Sequence, residues 1–162
     1  MKRIILHWTA GTYFPNNTDL THYHFIIDKN GKVYNGKYKP EDNLNCSDGK
    51  YAAHTGGGNT GAIGISVCGM AGFNSRNNPG RYPITQKQME AAFKLCAELC
   101  KRYSIPVTNQ TVLTHYEFGL ANPRTTSAGK IDISYIPYCP EIPARSVGDY
   151  IRNKVKWYCS KL

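Results

Sequence analysis

The run Ala62-Ile63-Gly64-Ile65-Ser66-Val67-Cys68-Gly69 constrains this chain most. It is apolar, uncharged and built largely from small side chains, as in a strand that packs closely on neighbouring backbone. Such a strand is expected at the centre of a sheet. Arg3 to Trp8 is a second apolar run and reads as another buried strand. Tyr23-His24-Phe25-Ile26-Ile27 reads as a third, and Asp28-Lys29-Asn30-Gly31 is a turn signal folding it back onto Lys32-Val33-Tyr34-Asn35 as a hairpin. Val107 to Thr114 reads as a further strand leading directly into His115, and Thr9 to Asp19 as a polar loop.

Two helices complete the pattern. Thr85-Gln86-Lys87-Gln88 has the form of a capping box, a hydroxyl at the cap with Gln three residues later, and opens an amphipathic helix to about Tyr103. Its apolar stripe is Met89, Ala92, Phe93, Cys96, Leu99, Cys100 and Tyr103. Ser146 with Asp149 predicts a second cap and a C-terminal helix that buries Val147, Tyr150, Ile151, Val155 and Tyr158. Strands, helix, strand, loop and helix in that order predict an α/β chain with a mixed central β-sheet flanked by helices. With 162 residues and no Ser/Pro tract, charge block or repeat to divide them, a single domain over residues 1–162 is expected.

The formal charge of +9, from 20 Lys and Arg against 11 Asp and Glu, would draw the protein toward an anionic partner. The basic residues are spread out rather than clustered, so nucleic acid is not the expected partner. The N-terminus has only a short apolar run, no signal peptide is read there, and no segment reads as a membrane span. Six cysteines in a chain of this length are no small disulfide scaffold, and Cys96 and Cys100 read as small core residues of a reduced protein.

Of the five histidines, His7 and His115 fall at the ends of predicted strands, where functional side chains gather. Neither belongs to a short-spaced metal motif. The joint pattern says more: His7-Trp8-Thr9-Ala10-Gly11, then Tyr23-His24-Phe25-Ile26-Ile27 with Asn30-Gly31, then Ala53-His54-Thr55 with Asn59, then Ala62-Ile63-Gly64-Ile65-Ser66, then Thr114-His115 and Lys130-Ile131-Asp132. From Ile4 to about Asp132 this order resembles the N-acetylmuramoyl-L-alanine amidase family, which includes small phage lysozyme-type amidases and the peptidoglycan recognition proteins.

That resemblance implies a mixed sheet with helices and one Zn2+ ion held by His7, His115 and a third ligand. Asp132 is favoured for the third because it stands two positions after Lys130, a spacing the family shows. Cys139 is the rival, since a thiolate also binds zinc well. Tyr23 matches a tyrosine near the zinc-bound water in active relatives, and Lys130 a lysine that stabilises the developing oxyanion. His54 and Asn59 match positions near the cleft and are expected to contact substrate. The intracellular recycling branch carries a catalytic Glu where this chain has Ser66, so the likeness is to the phage and recognition-protein branches.

The implied activity is hydrolysis of the amide between N-acetylmuramic acid and L-alanine in bacterial peptidoglycan, by a monomeric phage or prophage endolysin. Such a protein is made in the cytoplasm and reaches the wall through a holin-type partner. The alternative is a non-catalytic module that grips muropeptides. Further expectations concern single residues. His24 should face away from Tyr23 and be structural, His22 should be an exposed loop residue, and Trp8 should lie in the core. Gly56-Gly57-Gly58 should let backbone amides approach a ligand. The path from His7 to Tyr23, where many relatives insert a full helix, should leave a low cleft wall.

Overall fold

The computed structural model describes residues 1–162. Five strands, β1 (Arg3–Trp8), β2 (Phe25–Ile27), β3 (Val33–Asn35), β4 (Ala62–Val67) and β5 (Val112–Thr114), form one sheet in the order β3-β2-β4-β1-β5. β4 runs parallel to β1 and β2, β1 runs parallel to β5, and the β2–β3 hairpin is antiparallel. The sheet is mixed, and the small-residue strand sits at its centre.

Strand alternation sorts the side chains of β1 and β4 onto two faces. Ile4, Leu6 and Trp8 join Ile63, Ile65 and Val67 in the large core. There they meet Met89, Phe93, Cys96 and Leu99 of one helix, Gln86–Tyr103, and Val147, Ile151 and Val155 of another, Val147–Cys159. Ile5 and Ala62 point the other way and form a small cluster with Leu113 and Phe118. By the same alternation His7, Gly64 and Ser66 lie on that second face, which no long helix covers.

Four helices are present: α1 (Asn17–His22), α2 (Gln86–Tyr103), α3 (His115–Ala121) and α4 (Val147–Cys159). α2 begins at the expected box, in which the Gln88 amide N–H donates to Thr85 Oγ1 and Gln88 Oε1 accepts from the Thr85 amide. Gln88 Nε2 also donates to the Ile27 and Cys68 carbonyls, fastening α2 across β2 and β4. Cys96 and Cys100 are buried in this core, and all six cysteines are free. No helix is long and apolar enough to cross a membrane.

Several local expectations need correction. β5 starts at Val112, not Val107, because Thr108 and Thr111 close a turn: the Thr108 amide donates to Thr111 Oγ1, and the Val112 amide to the Thr108 carbonyl. α3 was not expected; Thr114 caps it and Glu117 completes the box. α1 lies partly within the expected polar loop, capped reciprocally by Asn16 and Asp19. Tyr23 therefore closes α1 instead of opening β2. Ser146 makes no side-chain cap, since a 3-10 turn at Ala144–Ser146 runs straight into α4 and Asp149 binds Arg152 instead.

Candidate metal centre

β1 and β5 run side by side in the same direction, with Leu6 opposite Thr114. One residue further on, His7 and His115 are neighbours at the carboxyl ends of the two strands, their rings 4.7 Å apart and inclined by 70°. His115 opens α3, so the capped first turn fixes the direction in which its side chain leaves. Asp132 arrives on the loop after α3, and the Tyr116 amide donates to the Asp132 backbone carbonyl at 2.6 Å, holding that loop against the helix start. The Asp132 carboxylate lies 2.8 Å from His7 Nδ1 and 3.3 Å from His115 Nδ1. The three potential ligand atoms all lie within 4.8 Å of one another.

The outer hydrogen bonds assign the tautomers. A carbonyl only accepts, so Ser127 Oγ donates to the Gly56 carbonyl at 2.7 Å and accepts from His115 Nε2–H at 2.9 Å. His115 Nδ1 is thereby left facing Asp132. Likewise His54 Nε2–H donates to the Ala62 carbonyl at 3.2 Å, which makes His54 Nδ1 an acceptor. It accepts from Thr55 Oγ1 at 2.7 Å and faces His7 Nε2–H at 3.2 Å, so His7 Nδ1 also points inward.

Burial lowers the His7 pKa against the hydrogen bond and charge of Asp132. Burial, then the neighbouring His7 and His24, hold His54 well below the usual histidine range. Burial opposes the charge of Asp132, yet its contacts with His115 and His7 prevail and keep it ionised below the ordinary carboxyl range. Two imidazole nitrogens and a carboxylate converge in one buried spot, a donor set suited to a cation. Around a tetrahedral zinc with bonds of about 2.0–2.2 Å, ligand atoms sit roughly 3.3–3.5 Å apart. The three residues fit such an ion in donor type and charge, and the His115–Asp132 separation of 3.3 Å matches that spacing.

The group lies in a cleft of about 590 Å³ whose polar lining includes His22, Tyr23, His54 and Lys130, and whose apolar lining includes Trp8, Met70, Phe73 and Ile131. The Tyr23 ring is 5.1 Å from that of His7. Burial, followed by the charge of Asp132, raises its pKa, so the phenol keeps its proton. Lys130 is exposed at the rim. Trp8 is buried and packs on Phe73, as expected of a core residue that also floors the cleft.

Other candidates sit elsewhere or act differently. Asn59 does not line the cleft; its Oδ1 accepts from the His54 and Thr55 amides and so shapes the loop carrying His54. Cys139 is partly buried against the main core, apart from the histidine–aspartate group. His22 is exposed but helical, and its Nδ1–H donates to the Ala53 carbonyl at the cleft edge. His24 is structural, as expected: Tyr23 lines the cleft, whereas His24 lies behind His54 at a ring distance of 5.6 Å, outside the cleft lining, and is hydrogen-bonded to Asn43 and the Gly64 amide. The glycine run borders the cleft at Gly56. A side chain on Gly56, Gly57 or Gly58 would collide with Thr126, Thr125 or Phe118, so these glycines serve close loop packing. The structure adds one residue that sequence reasoning missed, Ser127, which no local motif announces, and gives Thr55 of the expected cleft loop a hydrogen bond to His54.

Comparison with known proteins agrees with this architecture. No curated protein matches the chain by sequence. Among solved structures, N-acetylmuramoyl-L-alanine amidase LysC from Clostridium intestinale URNW is 17% identical, with a TM-score of 0.54 over 96% of this chain and 85% of that one. A point mutant of PlyL is 20% identical at the same TM-score, over 96% and 84%. The ectodomain complex of peptidoglycan recognition proteins LCa and LCx with tracheal cytotoxin is 20% identical at a TM-score of 0.50, over 78% and 75%. At these identities the likeness concerns the fold. The sequence profile described as N-acetylmuramoyl-L-alanine amidase matches residues 1–130, and the chain belongs to that family.

Proposed function

We propose that this protein is a zinc-dependent peptidoglycan hydrolase that cleaves the amide between N-acetylmuramic acid and L-alanine. The observation that carries the reading is the inward convergence of His7 Nδ1, His115 Nδ1 and the Asp132 carboxylate at the floor of an open cleft. When bound, zinc would lower the pKa of a coordinated water to about 7 and polarise the amide carbonyl.

The chain's own residues supply the rest. Tyr23, protonated and beside His7, donates a hydrogen bond to oxygen at the reacting carbon and orients the attacking water. Lys130 at the rim offers a cation to the oxyanion as it develops, stabilising the transition state more than the ground state. His54, neutral and hydrogen-bonded on both ring nitrogens, holds His7 in its working tautomer. Asn59 acts through the His54 loop. Trp8 and Phe73 give the sugar and peptide an apolar wall.

Action as a phage-type endolysin, synthesised in the cytoplasm and released to the wall by a holin-type partner, extends this reading. The recognition protein bound to tracheal cytotoxin supports a second one, a module that binds muropeptide without cutting it. Purified protein incubated with peptidoglycan, with and without a chelator, separates the two. Release of stem peptides bearing a free L-alanine amine, abolished by chelation and by His115→Ala, is the expected result. Zinc-loaded protein that binds muropeptide but releases nothing would replace the hydrolase with the binding module.

A further inference from the structure

A buried ion pair lies behind His115, outside the cleft lining. Arg152 of α4 is 6% exposed. Its Nη1 donates to the Val112 carbonyl at 3.0 Å and to Glu117 Oε1 at 2.9 Å, and its Nη2 donates to Glu117 Oε2 at 2.9 Å and Asp149 Oδ1 at 2.8 Å. Glu117 Oε1 also accepts from the Thr114 amide at 3.1 Å, closing the cap of α3. Three of the four guanidinium bonds thus fall on Val112, the first residue of the three-residue strand β5, and on the Glu117 side chain in the first turn of α3, on either side of His115.

We infer that Arg152 is a positioning residue for the metal centre, clamping the β5–α3 junction so that His115 is aimed at Asp132. This rests on the zinc reading above. A purely stabilising role explains the arrangement poorly, because a buried ion pair gains little over well-packed apolar side chains. Its geometry instead serves direction. A planar fork that grips the strand carbonyl and the helix carboxylate together fixes the angle between them, which an apolar contact would leave soft. Gly148 makes the approach possible, since any side chain there would collide with the Glu117 carboxylate. The other ion pair of α4, Lys154 with Glu90 at 3.1 Å, ties α4 to α2 and does not touch the junction, so it serves as an internal control.

The test compares Arg152→Lys, Glu117→Gln and Lys154→Met in the full chain. Zinc affinity is measured by competition with a chromophoric chelator, coordination geometry by the visible spectrum after cobalt loading, and stability by thermal melting. Arg152→Lys keeps the charge but loses the fork, and Glu117→Gln keeps an acceptor for the Thr114 amide, so the second variant remains informative if the first folds poorly. Both are expected to lose about tenfold in zinc affinity, within the range for residues behind a ligand, and to alter the cobalt spectrum. Lys154→Met is expected to keep both at wild-type values. Wild-type affinity and spectrum in both junction variants would overturn the clamp. So would an equal loss in all three variants that merely tracked their melting temperatures. Wild-type protein that took up neither zinc nor cobalt would overturn the zinc reading itself, a different failure.

Discussion

His24 and His7 lie on one face of the same sheet, joined through His54 by ring spacings of 5.6 and 5.2 Å, yet their surroundings are opposite in kind. Both nitrogens of His24 are answered: the Gly64 amide donates to Nδ1 at 3.0 Å, and Nε2–H donates to Asn43 Oδ1 at 2.9 Å. Asn43 is itself saturated, accepting from the Ala52 amide and donating to the Ala52 and Asn59 carbonyls. His7 and His115 are fastened to the surrounding protein only on their outer nitrogens, and their inner ones meet the Asp132 carboxylate at the cleft. A buried polar network that closes on itself builds structure; one left open toward a cleft is poised to bind.

The comparison can be broken most severely at the open end. Asp132→Asn removes the anion while keeping the shape, and it is expected to abolish stem-peptide release. Its loss of zinc affinity should exceed the roughly 10–100-fold typical of residues behind a ligand. Retained zinc affinity in this variant would show that Asp132 is not a ligand.

The closed network predicts a pH effect. Burial lowers the His24 pKa to about 4 despite the hydrogen bond to Asn43, against about 6.5 in an unfolded chain. The resulting stability is fully present above about pH 6.5 and is lost as pH falls toward 4, because the unfolded chain takes up the proton first. The span amounts to on the order of 3 kcal/mol. Denaturant melts of chelated protein between pH 7 and 4 should show this decline together with that of His7 and His54, and His24→Asn should make it shallower. An unchanged slope would move the titration to another group.

A smaller effect joins the two kinds of network. Ser127→Ala deletes the acceptor that keeps His115 Nδ1 inward, and about a tenfold loss of zinc affinity is expected with the fold intact. Equal affinity in the variant would mean that the first turn of α3 alone orients the ring.

These contrasts also explain what the sequence disclosed. β1, the hairpin and α2 were legible because each carries a strong local signal: an apolar run, an Asn-Gly turn, a capping box on an amphipathic stripe. α3 carried the same kind of signal, Thr114 with Glu117 three residues on, but the apolar run before it read as a strand that continued to His115. The start of that strand was misread because Val107 is apolar, while the turn that excludes it depends on threonine hydroxyls. The ligand candidates came from a pattern of blocks in order, since His7, His115 and Asp132 show no metal spacing of their own. Ser127 and Arg152 stayed hidden because their roles come from partners that folding brings close: Gly56 lies 71 positions from Ser127, and Glu117 lies 35 from Arg152.

The strand order has a consequence for synthesis. β1 is made first, but both of its neighbours in the sheet, β4 and β5, are made later. Asp132 follows His7 by 125 positions, an interval of roughly 6 to 25 seconds at about 5–20 residues per second on the ribosome. Until His115 is added, 17 positions before Asp132, the nascent chain holds only one of the three residues. Under the proposed zinc reading, metal capture would therefore wait until residue 132 has been added, and a ribosome that stalls before it would leave a product unable to perform it.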